Sequence, residues 1–290
     1  MSTEPTSPKG KLLTSPAAIR RRLNAISYLS PRLAGHYAFP LFVRTGPRAP
    51  VRPAEQPVHD LATVYRLSVD GRRLAVYRWG DSGRRVLLMH GFEGRASNMA
   101  AFAVGLHRLG MTAVAFDNFG HGDSEGTRAT IVDVAGAVRA VTAEYGPFHG
   151  IVAHSFGGLC AYHAVRSGVD VQRMVTIGAV CDFGNLPEWF SGRLRLRPQI
   201  TAELRRRSEE FFRPETDIWE RFSATHRAEE WKVPLLVIHD ENDKEIAVAQ
   251  GRKIAAGYER AEYLETKGLG HRRILADQNV VSAAVEFVVK

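Results

Sequence analysis

Residues 150–153, Gly-Ile-Val-Ala, make a short apolar run that ends at His154-Ser155 and passes at once into a helical pattern of Leu159, Ala161, Tyr162, Ala164 and Val165. Short, apolar throughout and bounded by a turn signal, the run reads as a buried strand. A serine on that junction must take a tight, strained turn, because the strand and the helix it feeds pass close together. Only small neighbours permit that approach, and Ala153 two residues before and Gly157 two after supply them. The turn leaves an exposed hydroxyl beside a helix start, where free main-chain N–H groups can stabilise developing negative charge.

The rest of the chain supplies a frame for such a strand. Residues 64–68 and 74–79, joined across Asp70-Gly71, read as an antiparallel hairpin. Strands then follow at 86–89, 112–116, 151–154, 174–180, 234–239 and 262–265, with helices at 97–109 and 131–145 and a closing helix at 280–289. This alternation implies a mostly parallel central sheet with helices on both faces. Residues 182–231 interrupt it with about fifty residues rich in Trp, Phe and Arg, too many for a crossover. They read as a helical cap inserted over the carboxyl edge of the sheet. The expected organisation is a disordered tail (1–15), a basic helical segment and linker (16–60), a core (61–181 and 232–290) and the cap (182–231).

A serine nucleophile needs a base, and the base needs a carboxylate to orient it. Downstream of Ser155, the strand at 234–239 runs into Asp240-Glu241-Asn242-Asp243, and the last strand leads to Gly268-Leu269-Gly270-His271. Ala153-His154-Ser155-Phe156-Gly157 resembles the nucleophile elbow of the α/β-hydrolases, with Ala in the first Gly position. The order Ser, acid, His matches that superfamily, and the resemblance, to a bacterial serine esterase or lipase with a helical cap, covers about residues 62–290. Of the two candidate acids, Asp240 and Asp243, the resemblance implies Asp243, in a catalytic set with Ser155 and His271; Asp240, closer to the strand end, reads as tying its loop through backbone N–H groups. The resemblance places the oxyanion hole on the main chain of Phe156 and of Phe92, in His90-Gly91-Phe92. A third match, Asp117-Asn118-Phe119-Gly120-His121-Gly122-Asp123-Ser124, resembles the family's D-x-x-G-H-G-x-S loop, whose role is mainly structural. Glu93, beside the expected hole, either faces solvent or pairs with Arg95.

The activity implied is hydrolysis of a carboxylic ester, thioester or lactone through an acyl-enzyme. An amidase or peptidase, an acyltransferase and a slow receptor-like ligand-binding relative are the alternatives. Serine at 155 argues against haloalkane and epoxide chemistry, which use an aspartate there. His154, Trp189, Phe190, Phe211 and Trp219 are the candidate substrate contacts, for an apolar acyl or aromatic group. No cofactor or metal is expected: Cys160 and Cys181 have no metal or redox spacing and read as small core residues.

Charge says little about the substrate. Nine Lys and Arg against three acids in the first 60 residues carry six of the eight net positive charges, so the rest is nearly neutral and nucleic acid is not an expected partner. No apolar run reaches the roughly 20 residues of a membrane span, and no signal peptide is evident, so the expected location is cytoplasmic. The basic segment at 15–43 carries Ile19, Leu23, Ile26 and Leu29 on one side, is broken by Pro31, and resumes with Leu33, Tyr37, Phe39, Leu41 and Phe42. It reads first as a brace on the protein's own body, next as a homodimer contact and last as a membrane contact. A small acyl substrate is the expected partner.

Overall fold

The computed structural model describes residues 15–290; the tail expected at 1–15 lies, Ser15 apart, outside the described residues. Two helices come first, α1 (Pro16–Leu29) and α2 (Pro31–Val43), then a short helix α3 (Gln56–Asp60). The strands β1 (Thr63–Val69), β2 (Arg72–Trp79) and β3 (Arg85–Met89) precede α4 (Ala100–Arg108), β4 (Thr112–Phe116) and α5 (Ile131–Tyr145). Next come β5 (Gly150–His154), α6 (Phe156–Arg166) and β6 (Arg173–Ile177), and then α7 (Asn185–Leu194), α8 (Pro198–Phe211) and α9 (Ile218–Arg221). The chain closes with β7 (Leu235–Asp240), α10 (Val248–Gly257), β8 (Ala261–Thr266), α11 (Gly270–Arg273) and α12 (Gln278–Val289).

The eight strands form one sheet in the order β1-β2-β4-β3-β5-β6-β7-β8. The β1–β2 and β2–β4 pairs are antiparallel and all others parallel. Asp70 and Gly71 both take positive φ, which turns the hairpin with the twist its strands need. β4, β5 and β7 are buried along their whole length, as their unbroken apolar runs require. On one face Phe102, Leu106, Val285 and Val288 of α4 and α12 share a core with Val86, Leu88, Val152 and Ile177. Because β3 runs on to β4 on one side and its neighbour β5 runs on to β6 on the other, the connections leaving these two strands diverge. Such a switch point opens a crevice at the carboxyl ends of the strands. The loop after β3 and the serine after β5 both emerge there.

The strand expected to reach residue 180 stops at Ile177, because Gly178 turns the chain at φ +55°. The linker expected at 44–60 is fastened to the core and ends in α3. Thr45 N donates to Thr127 O at 2.9 Å, Arg48 Nη1 to Gly122 O at 2.5 Å, and the Glu55 carboxylate accepts from Ser97 Oγ at 2.7 Å.

The described residues divide into two units. One holds the sheet and runs over Thr45–Asp182 and Phe222–Lys290; the other combines the chain up to Arg44 with Phe183–Arg221. Residues 222–231 of the expected insertion thus lie with the sheet. In the helical unit Leu23, Ala34 and Ala38 of α1 and α2 share a core with Ile200 and Leu204 of α8. A Cβ at Gly35 would stand 2.4 Å from Glu203 Cβ, so the glycine sets how closely α2 and α8 approach. Asn24 joins α1 to the α7–α8 turn: its amide donates to Arg195 O and its carbonyl accepts from Arg197 N, both at 3.0 Å. Ser15 and Ser30 cap the two N-terminal helices through their hydroxyls, each followed by a proline at the first helical position.

Candidate active site

Ser155 follows the last residue of β5 with φ 54° and ψ −124°, a conformation that costs a non-glycine residue about 1–3 kcal/mol. Its surroundings hold it there. Ser155 N continues the sheet ladder to Ile177 O at 2.9 Å, and its carbonyl accepts from Gly158 N at 2.9 Å, opening α6. Three glycines let the neighbours close in. A Cβ at Gly157 would lie 2.4 Å from His90 O, one at Gly158 2.7 Å from Ala179 Cβ, and one at Gly91 2.8 Å from Ser155 Cβ. The small residue expected at 157 is therefore required by the carbonyl of the loop after β3.

His271, on α11 just past β8, and Asp243, three residues past β7, meet this serine. His271 Nδ1–H donates to Asp243 Oδ2 at 2.7 Å, which leaves Nε2 to accept from Ser155 Oγ–H at 2.9 Å. Asp243 Oδ1 accepts the main-chain N–H groups of Glu245 and Ile246 at 2.8 and 2.9 Å. Burial pushes this carboxyl up, but hydrogen bonds from His239, His271 and Ile246 outweigh it and hold the group well below the usual carboxylate range. It is an anion at neutral pH, aimed at the imidazole.

Asp240 has a different task. Its Oδ1 accepts from Asn242 N at 2.9 Å and Gly270 N at 2.8 Å, and its Oδ2 from Thr266 Oγ1 at 2.8 Å and Leu269 N at 3.0 Å. One buried carboxylate thus binds the loop after β7 to the loop that presents His271. Burial opposes its ionisation, and the four donors more than reverse that, lowering its pKa.

His154 turns towards the histidine. Its Nε2–H donates to His271 O at 2.9 Å, and the two rings lie 4.6 Å apart. Burial and the neighbouring His271 bring its pKa down to about 3, so the ring is neutral and its Nε2 proton is the one used. His239 and Gly178 are not evident as site residues from the sequence. His239 Nε2–H donates to Ile246 O at 3.0 Å and also faces Asp243 Oδ2 at 3.5 Å. As a wholly buried residue of β7 it reads in sequence as an ordinary strand position. At Gly178 a Cβ would lie 3.3 Å from His271 Nδ1 and 3.4 Å from Asp243 Oδ2.

The loop after β3 is laced to the Asp117–Ser124 loop by two neutral histidines. His90 donates from Nδ1 to Gly91 O at 2.7 Å and accepts Asn118 N–H on Nε2 at 2.9 Å. His121 donates from Nδ1 to Phe119 O at 3.0 Å and accepts Glu93 N–H on Nε2 at 3.1 Å. Burial first, then the nearby His90, lowers the His121 pKa to about 4. Asp117 ties the same loop together, accepting from Ala96 N at 2.7 Å, Asp123 N at 2.7 Å and Tyr77 Oη at 2.9 Å. Arg95 is engaged with Asp123 at 2.8 Å and with Ala49 O at 3.2 Å. Glu93 takes a positive φ of 58°, and its carboxylate would stand 3.2 Å from a Cβ at Gly46. Phe92 and Phe156 face each other edge-on with ring centroids 6.2 Å apart, and Phe156 is the first residue of α6, where main-chain N–H groups have no intrahelical acceptor.

The remaining aromatic candidates belong to the helical unit. Phe190 packs on Phe42, Phe211 on Phe39 and Phe212, and Trp219 on Phe183, with its Nε1–H donated to Glu209 at 2.6 Å. The Arg193 guanidinium lies 5.3 Å from the Trp189 ring centroid. Among the described residues no cluster of His, Cys, Asp and Glu is arranged to hold a metal ion. Nor is any helix among them long and apolar enough to cross a membrane.

Comparison with known proteins agrees with this architecture. The chain matches an esterase structure from Pyrococcus furiosus with a TM-score of 0.63 at 17% identity, over 85% of this chain and 97% of that one. It matches an esterase from Rhodococcus (0.57, 20% identity, 79% and 99%) and a meta-cleavage product hydrolase from Pseudomonas fluorescens (0.57, 18%, 77% and 96%). At these identities the likeness is one of fold. No curated protein sequence matches the chain. The alpha/beta hydrolase family model matches residues 86–284, from β3 to α12 and through every residue of the hydrogen-bonded Ser155, His271 and Asp243, and the chain belongs to that family.

Proposed function

We propose that the protein hydrolyses a carboxylic ester through an acyl-enzyme on Ser155. The observation that carries this reading is the unbroken chain from Asp243 Oδ2 through His271 to Ser155 Oγ, at 2.7 and 2.9 Å. Ser155 Oγ attacks the ester carbonyl as His271 Nε2 takes its proton, and anionic Asp243 stabilises the imidazolium that results. The carbonyl oxygen, now negative, is received by the main-chain N–H groups of Phe92 and Phe156, which need no reorganisation because Gly91 and Gly157 already press the two loops together. Collapse breaks the bond to the alcohol, which leaves with the proton from Nε2. Water then enters, gives its proton to Nε2 and attacks the acyl carbon. Collapse of that second adduct returns the proton to Ser155 and frees the acid.

The test is release of p-nitrophenol from esters of increasing acyl length, wild type beside Ser155→Ala. We expect turnover by the wild type and a loss of at least about a thousandfold in the variant, with thermal unfolding unchanged. Activity in Ser155→Ala above a few per cent of wild type would overturn the assignment.

A further inference from the structure

We propose that the outer face of α1 and α2 docks in the plane of an anionic phospholipid surface. The inner face of these helices is used up in the helical unit's core, through Leu23, Ala34 and Ala38. What remains outside is also apolar. Four of the exposed large apolar side chains fall within residues 28–37: Tyr28 (75% exposed), Leu29 (92%), Leu33 (47%) and Tyr37 (54%). Helical spacing gathers them into two ridges that meet at the Ser30-Pro31 corner, Ala25, Tyr28 and Leu29 on α1 and Leu33, Tyr37 and Pro40 on α2, all exposed. Exposed apolar side chains gathered on two adjoining helices call for a partner in a way that scattered surface leucines do not.

Charge selects that partner. Between Glu4 and Glu55 the chain has no acidic residue, while Arg20, Arg21, Arg22, Arg32 and Arg44 lie on or directly beside the two helices. Arg21 and Arg22 are exposed and continue the Ala25–Tyr28–Leu29 face by one further turn, and exposed Arg32 precedes Leu33. Arg197, from the α7–α8 turn, lies 3.7 Å over the Tyr28 ring, adding a cation at the corner. A complementary surface is therefore anionic at its rim and apolar beneath. A bilayer leaflet with anionic headgroups offers both, with leucines below the headgroups, tyrosines at their level and guanidinium groups on phosphates. A second copy of the same face fits poorly, since it brings five more arginines and no carboxylate from these helices to pair with them.

The experiment is flotation of the full chain with vesicles of phosphatidylcholine alone and of phosphatidylcholine with phosphatidylserine, at low and high salt. The wild type is expected to float with the anionic vesicles at low salt, to be released by salt, and to stay behind with the neutral ones. Leu29→Glu/Leu33→Glu should lower partitioning more than about tenfold while leaving the thermal unfolding curve in place, since both side chains are outside the core. Arg21→Ser/Arg22→Ser/Arg32→Ser should lower it about fivefold per arginine. Failure of the wild type to float with anionic vesicles would overturn the proposal, as would a folded Leu29→Glu/Leu33→Glu that floats like wild type. Light scattering that finds a lipid-free dimer dissolved by the same leucine changes would assign the ridge to a second copy, and overturn it too.

Discussion

Asp240 and Asp243 stand three residues apart, both buried, and the same change, Asp to Asn, should break two different things. At Asp243, Asn Oδ1 can still accept Glu245 and Ile246 N–H, but its amide nitrogen then faces His271 Nδ1. The ring answers by moving its proton to Nε2, which presents a donor to Ser155 Oγ and can no longer take the serine's proton. Loss of the correct tautomer and of the charge costs roughly 10⁴ in kcat, about 5–6 kcal/mol of transition-state stabilisation, with little effect on folding. At Asp240 no orientation of an amide satisfies four donors. With nitrogen towards Thr266 the hydroxyl can turn and accept, but Leu269 N–H is left buried against another donor. One orphaned donor plus the lost charge costs about 3 kcal/mol of stability, or roughly 6–10 °C in melting temperature. The His271 loop loosens with it, for a rate loss of about a hundredfold. Steady-state hydrolysis of a p-nitrophenyl ester beside circular-dichroism melts separates the two. A folded Asp240→Asn that loses more rate than Asp243→Asn would refute the division of labour between these carboxylates.

Gly91→Ala would place a methyl 2.8 Å from Ser155 Cβ and 3.0 Å from His154 Nδ1. We expect kcat to fall about a hundredfold for a stability cost of about 1–3 kcal/mol, read from kinetics and melts of the same preparation. Gly35→Val should drive α2 from α8 at the 2.4 Å approach to Glu203 Cβ, and limited proteolysis should then cut the helical unit first. The buried neutral histidines His90, His121 and His154 have pKa values below that of a free imidazole, so below about pH 6.5 the unfolded chain binds more protons than the folded one. Stability should be full above that pH and fall as acid is added, with His121 ceasing to contribute near pH 4 and the lowered carboxyls of Asp240 and Asp243 adding their loss below about 4. Urea unfolding between pH 7 and 4 should show a shallower fall in His121→Gln, and stability that rises towards pH 4.5 would contradict the burial argument.

Where side-chain pattern and backbone agree, the sequence is readable. β4, β5 and β7 are unbroken apolar runs because both faces of the sheet are covered, and the serine junction stands out because its neighbours must be small. Asp240 as a tie through backbone N–H groups follows from its place at the strand end, and three of the four donors it meets are backbone N–H groups, two of them from the loop that carries His271. Other features are less legible for physical reasons. α10 buries only Gly251 and Ile254 in ten residues, too little to mark a helical face. Pro47, Pro50, Pro53 and Pro57 make 44–60 look like a plain linker, although a proline at the start of α3 is a helix-opening position. The packing of α2 on α8 rests on small residues, Ala34, Gly35 and Ala38, whose meaning emerges only once the opposing helix is in place. His239 is hidden for the same cause, since a strand residue aimed at a carboxylate and one aimed at the core share a single pattern.

The two halves of the hydrogen-bonded set are secured by unlike means: the serine by missing atoms at Gly91, Gly157 and Gly158, the histidine and its acid by main-chain donors gathered on Asp240 and Asp243. They differ accordingly in how they withstand genetic drift. Any replacement of a glycine adds atoms, so amino-acid changes at those three positions are blocked by volume alone. The carboxylate half is blocked by chemistry instead, and Glu245 and Ile246, which donate to it through the backbone, are held there by main-chain atoms that any residue but proline supplies. Diversity among relatives that keep this arrangement should therefore collect around the histidine and acid loops while the serine turn stays constant.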